Sequence, residues 1–218
     1  MKKILFLAIG LLVAGSVSAQ RRFYHSPRNT MSNDYSDFYQ PTIGFEIGTN
    51  ISNSVSSSNS SYTTGNLVGL NAGITFNLPI IYPLSFAPEV LYSEKGYTAA
   101  TQDGSYTQRT NFIDVPLLAK FKLGPIANLY IGPQLSYLIS TTNTYDNGFT
   151  VSSEQYYANN NGHKSFLDGV VGVSFDFNRA VDLHARYTLD LEQTDNYGST
   201  YVPNYRNQVW QIGLGFKF

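Results

Sequence analysis

The sequence predicts an all-β protein, an eight-stranded antiparallel up-and-down β-barrel that crosses a membrane. In its last stretch, NQVWQIGLGFKF, apolar side chains occupy every second position from 210 to 218, and Gln, Gly, Gly and Lys stand between them. Strict alternation indicates a strand with one apolar face. Similar segments recur along the chain, and the connections between them are alternately long and short. Alternating strands with this asymmetry of connections are typical of outer-membrane barrels.

The first 19 residues predict a secretory signal. Lys2 and Lys3 precede an apolar run at 4–15, and small residues follow at 17–19, where signal peptidase requires them. We expect cleavage after Ala19. An uncleaved anchor is the alternative, but the run is short for a membrane helix. Residues 20–41 are polar and aperiodic, and we interpret them as an irregular periplasmic segment, with a short plug as the alternative.

The barrel domain is expected to occupy residues 42–218. Its expected strands are 42–50, 67–77, 84–96, 111–123, 128–140, 166–177, 181–190 and 207–218. Long polar connections are expected at 52–66, 97–109, 141–164 and 191–206, and short turns near 78–83, 124–125 and 178–180. Short turns lie in the periplasm and long loops outside the cell. Pro88 removes one ladder donor, so we expect a β-bulge there.

Composition excludes several other classes of protein. Without Lys2 and Lys3 the chain has 12 Lys and Arg against 15 Asp and Glu, a net charge of about −3, and no basic stripe that would bind nucleic acid. It contains no cysteine, so we expect no disulfide and no thiolate metal site, and we expect no cofactor. A soluble up-and-down barrel would place the apolar face inward. The other face carries glycine and charged residues, which favours the membrane barrel.

Charged residues on the inward face are the candidate site. They are Glu46, Glu89, Asp114, Lys120, Lys122, Asp168, Asp176, Asp182, His184, Arg186 and Lys217. Eight strands leave an interior just wide enough for side chains, and an unpaired buried charge is costly. We therefore expect a structural network in which Glu and Asp residues at 46, 89, 114 and 168 neutralise the cations at 120, 122, 186 and 217. A narrow ion path or a proton relay is the alternative.

Catalytic and metal-binding patterns are weak. His184 shares a face with Asp182 and Arg186, but no nucleophile accompanies them, and His163 near Ser165 is a weak hydrolase signal. We therefore expect no enzyme. Loop oxygens of Asp190, Glu192 and Asp195 are a calcium alternative, but their spacing matches no calcium loop and favours a solvated acidic rim.

Four runs carry a resemblance to a known family. They are PEVLYSEKGY at 88–97, NFIDVPLLAKFKLG at 111–124, YIGPQLSYLIS at 130–140 and the final QVWQIGLGFKF. The chain resembles the small outer-membrane β-barrel proteins of Bacteroidetes-type bacteria, the PorT-like or "porin family" barrels. The resemblance implies an OmpA/OmpX-type barrel, and Phe218 resembles the terminal signal that the barrel-assembly machinery reads. These motifs are signatures of strands and carry no catalytic residues.

Two functions follow from this sequence. The first is an integral outer-membrane barrel with a filled lumen, which displays Tyr-, Asn- and Ser-rich loops for structural, adhesion or partner-docking roles. The second is a narrow pore for small solutes or ions. The expected partners are outer-membrane lipid, the barrel-assembly machinery during insertion, and an unidentified protein outside the cell or in the periplasm.

Overall fold

The computed structural model describes residues 38–56, 64–101, 104–157, 165–191 and 205–218, and they form an all-β fold. The strands are β1 Thr42–Ser56, β2 Thr64–Ile81, β3 Leu84–Thr101, β4 Gly104–Lys122, β5 Ala127–Asp146, β6 Val151–Tyr157, β7 Ser165–Asp176, β8 Val181–Asp190 and β9 Tyr205–Lys217. Among these residues, no helix has the length and hydropathy needed to span a membrane.

Eight of the strands close into a ring. Around it the order is β1, β2, β3, β4, β5, β7, β8 and β9, and each neighbouring pair is antiparallel. The ring closes where β1 meets β9, in continuous register from Gly44 opposite Lys217 to Ser56 opposite Tyr205. Closure leaves no unpaired edge in the ring, which is the condition for a β-structure to span lipid. The predicted eight-stranded barrel is therefore confirmed.

Alternation along each strand separates the two faces of the wall. In β1, Ile47 is 49% exposed, whereas Glu46 is 3% exposed and Asn50 is fully buried. The same alternation appears in the other strands of the ring, and aliphatic and aromatic side chains cover the outside. Tyr187 and Trp210 add an outward aromatic pair whose ring centroids are 4.9 Å apart. The apolar face therefore lies outside the ring, as the alternation predicted, and it forms the belt expected to contact lipid.

Two of the expected long loops are largely strand, so those predictions are wrong. In the first, β3 and β4 stay paired as far as Thr101 and Gly104, inside the expected loop at 97–109. In the second, β5 continues to Asp146 and pairs with β6, an extra strand inside the expected loop at 141–164. These extensions carry Thr, Ser, Gln and Tyr on both faces. Because they have no apolar face, hydrophobic periodicity does not detect them.

The expected bulge at Pro88 is also absent. The register of β3 is constant on both sides of Pro88, and the irregularities of the β2–β3 pair lie between Asn66 and Asn71 and between Pro79 and Ile81. Side chains bond the backbone at the first of these. Asn50 Nδ2 donates to the Glu94 carbonyl at 2.8 Å, and Glu94 Oε2 accepts from the Leu70 amide at 3.2 Å. A shift in register is thus compensated by hydrogen bonds from both faces.

Several expectations lie outside the described residues. They are the signal at 1–19, residues 20–37 of the expected N-terminal segment, His163, Glu192 and Asp195. The described end of that segment contacts the turn between β2 and β3. The Phe38 ring lies 5.2 Å from the Tyr82 ring, and the Tyr82 amide donates to Tyr39 Oη at 3.4 Å.

A charge on the outer belt is expected to be costly. Leu135 lies on the outer face of β5 and is 51% exposed. We expect Leu135→Arg to lower the free energy of unfolding in lipid by about 2–4 kcal/mol, because the guanidinium would enter hydrocarbon. Thr141→Arg, farther along the same strand, is the control and should cost much less. Equal losses in urea unfolding of the reconstituted protein would contradict the assigned lipid belt.

The orientation of the barrel is open to a labelling test, since the sequence has no cysteine of its own. Phe149 is 99% exposed in the β5–β6 turn, and Leu123 is 64% exposed in the β4–β5 turn at the opposite end. A membrane-impermeant maleimide added to intact cells should label Phe149→Cys and spare Leu123→Cys until the envelope is broken. The reverse pattern would invert the topology.

Candidate functional site: the barrel interior

An ion pair across the full width of the lumen occupies the centre of the barrel. Arg186 projects inward from β8, and β3 lies four strands away in either direction around the ring. The Arg186 guanidinium nevertheless reaches Glu89 on β3, with Nη1 2.5 Å from Oε2. Its Nη2 lies 2.8 Å from Glu46 Oε2 on β1. One side chain therefore connects opposite walls, and all three residues are at most 5% exposed.

Glycines on β9 make room for the charged side chains of β8. A Cβ atom at Gly213 would lie 2.7 Å from His184 Nε2, and one at Gly215 would lie 2.7 Å from Asp182 Oδ2. Cβ atoms are essentially never found this close to another heavy atom, so a side chain at either of these two positions would require its neighbours to shift. The His184 ring lies between carboxylates, with Nδ1 3.4 Å from Asp182 Oδ1 and Nε2 3.8 Å from Glu46 Oε2.

A second charge cluster lies toward the end with the short turns. Lys217 Nζ is 2.5 Å from Asp176 Oδ1 and 3.0 Å from Asp182 Oδ2. Lys120 lies on the same inner surface, but its expected carboxylate partner is not found among the described residues. Its ammonium lies 5.6 Å from the centroid of the Tyr130 ring. Glu46 and Glu89, two of the acids expected to neutralise the lumen cations, both pair with Arg186.

Lys122 completes the sequence-predicted set at this end. It is half-buried at the last position of β4, two residues beyond Lys120 and therefore on the same face. A cavity of about 40 Å³ opens between this cluster and Arg186, with Lys120, His184 and Lys217 in its lining. It accommodates water, but it is far smaller than the pockets that hold small-molecule ligands.

A third cluster, toward the end with the long connections, centres on a lysine that sequence reasoning missed. Lys95 Nζ lies 2.9 Å from Asp114 Oδ2 and 3.6 Å from Asp168 Oδ2, and all three side chains are essentially inaccessible. Asp114 and Asp168 thus pair with Lys95 rather than with the expected cations at 120 and 122. Its position in the sequence could have identified Lys95 as inward-facing, because it follows Glu89 by six residues and therefore lies on the same face of the strand.

Ser136 links the two carboxylates of this third cluster. Its Oγ lies 2.6 Å from Asp114 Oδ1 and 2.5 Å from Asp168 Oδ2. Gln134 Nε2 donates to the same Asp168 oxygen at 2.8 Å. A hydroxyl carries one proton and can donate to only one carboxylate at a time. The cluster is therefore dense in acceptors relative to donors.

Asp190 belongs to the lumen and not to a solvated rim. It is 3% exposed, and its Oδ2 accepts from the Asn207 amide at 2.9 Å and from Asn207 Nδ2 at 2.8 Å. The acidic-rim interpretation of this residue is wrong because Asp190 continues the inward alternation of Asp182, His184 and Arg186. Among the described residues, no three His, Cys, Asp or Glu side chains converge as a metal centre.

Apolar side chains also fill the lumen, which the expected inward set of glycine and charge did not include. Phe112, Leu138 and Phe166 form one buried cluster, with the two phenylalanine rings edge to face at 6.0 Å. A second cluster contains Ala87, Leu118, Tyr130 and Val170. These residues come from β3, β4, β5 and β7. Phe112, Leu138 and Phe166 lie beyond the Lys95 cluster, toward the long connections, because each is two residues past a member of that cluster on its own strand. The interior therefore resembles a protein core.

The central ion pair is expected to be structurally important. Arg186→Ala leaves Glu46 and Glu89 buried without their cation, and breaking a buried pair in this way costs about 3–5 kcal/mol. Urea unfolding of the reconstituted barrel should show that loss, whereas the exposed Arg206→Ala should change little. Adding Glu46→Gln and Glu89→Gln to Arg186→Ala should recover much of it. A cost for Arg186→Ala no larger than that for Arg206→Ala would contradict the pairing.

Comparisons with known proteins agree with this architecture. Residues 19–196 match the model of the family described as "Outer membrane protein beta-barrel domain". The fold is similar to the crystal structure of Ail, the attachment invasion locus protein of Yersinia pestis, with a TM-score of 0.50, 12% identity and coverage of 82% of this chain and 99% of that chain. Neisserial surface protein A gives a TM-score of 0.47 at 20% identity, over 81% of this chain and 97% of that chain. No curated protein matches the sequence. The family match covers most of the chain, which therefore belongs to the outer membrane protein beta-barrel domain family.

Proposed function

We propose that the protein is a closed outer-membrane barrel that presents an extracellular β-sheet extension to a protein partner. The observation that carries the closed state is the ion pair of Arg186 with Glu46 and Glu89, which crosses the lumen from β8 to β1 and β3. An ion path would need a continuous polar channel beside it. The apolar cluster of Phe112, Leu138 and Phe166 occupies space along the same axis.

The narrow-pore alternative is the second candidate. The cavity between Lys120 and Arg186 favours it, because that cavity brings polar lining to the middle of the barrel. Its size of about 40 Å³ argues against passage of anything larger than water or a bare ion. A barrel whose lumen is filled by side chains requires no open space beyond what those side chains already occupy.

Conductance in a planar bilayer separates the two candidates. The wild-type barrel should give no steady single-channel current above the bilayer background. The matched variants Phe112→Ala and Leu138→Ala remove apolar filling without changing charge, and either one should still be far less conducting than a general porin. Large, stable currents from the wild type, with a selectivity that Lys120→Gln changes, would establish the pore and contradict the closed barrel.

The docking role rests on the hairpin formed by β5 and β6. Residues 151–155 of β6 are all exposed, and Phe149 at the turn is 99% exposed. β6 pairs along one edge with β5, and in the described residues no strand pairs with its other edge. Unpaired strand edges are templates for an added strand, since their backbone groups are ready to bond. The hairpin therefore offers both backbone and side-chain contacts to an extended peptide.

Site-directed cross-linking tests this docking role. Ser152→Cys, carrying a photo-activated cross-linker on intact cells, should give a protein adduct of reproducible mass. Arg179→Cys in the β7–β8 turn at the opposite end is the matched control and should not give that adduct. Purified wild-type barrel in excess should compete with the adduct. Absence of any adduct that competes in this way would remove the docking role and leave the closed barrel unaffected.

The role we propose is not catalytic. His184 Nδ1 lies 3.4 Å from Asp182 Oδ1 and Nε2 lies 3.8 Å from Glu46 Oε2, so carboxylates and not a hydroxyl nucleophile are its charged neighbours among the described residues. Arg186 on the same face is engaged by Glu46 and Glu89. These three inward side chains of β8 are therefore assigned to holding the barrel together.

The finer assignment of family and export route is part of the same proposal. We propose that the chain is a PorT-like barrel of Bacteroidetes-type bacteria, supported by the runs at 88–97, 111–124 and 130–140. The signal at 1–19 would be removed after Ala19, and the barrel-assembly machinery would read Phe218 and insert the barrel into outer-membrane lipid. N-terminal sequencing of the outer-membrane fraction should then begin at Gln20. A mature protein that begins at Met1 would contradict this route.

A further inference from the structure

Phe149 is the most exposed large apolar side chain of the described residues, at 99%. It lies in the turn between β5 and β6, at the end with the long connections. β5 carries its last aliphatic side chain at Ile139, and polar residues and Tyr145 follow as far as Asp146. That stretch extends about 24 Å along the strand. The lipid around the barrel therefore does not cover Phe149, whereas it covers the apolar side chains of the outer belt.

Hydrogen bonds within the turn fix the backbone that presents this ring. The Gly148 amide donates to Asp146 Oδ1 at 2.8 Å. Asn147 Oδ1 accepts from the amides of Phe149 and Thr150, at 3.0 and 2.7 Å. The Asn147 amide donates to the Thr150 carbonyl at 3.3 Å, and Gly148 adopts a φ of +81°, which favours glycine. Every backbone amide from 147 to 150 is thus satisfied inside the turn, so the shape of the turn does not depend on a neighbouring element.

The exposed ring lies next to a strand edge that is open in the described part of the chain. Phe149 precedes Val151, the first residue of β6, by two positions, and the far edge of β6 has no strand partner there. A strand added to that edge would bring its own side chains within reach of the ring. Aromatic side chains are typical anchors of protein interfaces. Full burial of a phenylalanine is worth about 10- to 100-fold in affinity.

Charge around the turn favours a protein over a membrane as the surface that receives Phe149. Residues 141–157 include two acids, Asp146 and Glu154, and no Lys or Arg. A partner surface with basic side chains is complementary to this segment, whereas an anionic lipid surface would be repelled. A single myristoyl chain, which is much larger than one phenylalanine ring, gives only marginal membrane binding.

We propose that Phe149 is the anchor of the docking role described above, and that it inserts into an apolar pocket of the protein partner. The rim of that pocket carries Lys or Arg side chains, which face Asp146. An extended segment of the partner beside the pocket pairs with the edge of β6. This assignment rests on the proposed docking role, because the pocket belongs to the partner that the β5–β6 hairpin binds.

Competition against the Ser152→Cys cross-link tests the anchor. Purified barrel with Phe149→Ala should need about 10- to 100-fold more protein than wild type to compete with the adduct, and Phe149→Leu should lie in between. Leu123→Ala, an exposed apolar residue in a turn at the opposite end, is the matched control and should compete as wild type does. Because Phe149 contacts no core, its replacement should leave the urea midpoint of the barrel unchanged.

The basic rim is tested by Asp146→Asn. Asparagine keeps a side-chain oxygen for the Gly148 amide and removes only the charge. This variant should compete several-fold less well than wild type at low salt and about equally at high salt, because salt screens exposed charges. Equal competition by Asp146→Asn and wild type at low salt would overturn the basic rim.

The outcomes separate this inference from the docking role. An adduct with which Phe149→Ala competes as well as wild type would overturn the anchor and leave the docking role in place, whereas the absence of any competing adduct would overturn both. Vesicles of phosphatidylglycerol test the membrane alternative on a barrel with Phe149→Trp and Trp210→Phe, which has a single tryptophan. Its emission should not change when the vesicles are added. A blue shift would assign Phe149 to a membrane surface and would overturn the protein pocket.

Discussion

Closure of the sheet is the constraint on which this structure depends. A β-sheet in lipid has no water to satisfy an open edge, so β1 must pair with β9 along its length. Once the sheet is closed, the period of two in each strand sends one set of side chains to lipid and the other to the lumen. The lipid-facing set is apolar, whereas the lumen set is largely polar and includes two buried apolar clusters. Eight strands then enclose so little space that the polar side chains must satisfy one another.

The interior meets this demand with three charge clusters stacked along the barrel. Lys217 pairs with Asp176 and Asp182 at one end, Arg186 with Glu46 and Glu89 in the middle, and Lys95 with Asp114 and Asp168 toward the other end. Each cluster joins strands that are not neighbours in the ring, so each fixes the cross-section of the barrel as well as its charge. Apolar side chains such as Phe112 and Leu138 fill the lumen beyond the Lys95 cluster, toward the long connections.

The balance of positive and negative charge differs along the axis. Near the short turns, Lys120 lies against the Tyr130 ring and the cations are sufficient for the acids. Near the long connections, Asp168 and Asp190 exceed what Lys95 can neutralise. Positive and negative charges are therefore balanced at the end with the short turns, whereas carboxylates are in excess at the end with the long connections.

Much of the fold could be predicted because it depends on alternation, which is local. The face assignments of β1, β7, β8 and β9 follow from reading every second residue. The extensions beyond the belt could not be found in this way, since strands such as β6 are polar on both faces. The pairing of Arg186 with Glu89 was also beyond the sequence. It depends on strand tilt and stagger, which bring two residues 97 positions apart to the same height on opposite walls.

Nuclear magnetic resonance of the Arg186 guanidinium in the reconstituted barrel shows whether the lumen is closed. In a closed lumen the guanidinium is fixed, with separately resolved, slowly exchanging Nη protons and through-space contacts to the Glu89 side chain. A further contact is expected to the Tyr130 ring, whose centroid lies 6.0 Å from Arg186 Cζ. A single averaged guanidinium signal in fast exchange with water, with no contact to Glu89, would mean that water fills the lumen and would contradict the closed barrel.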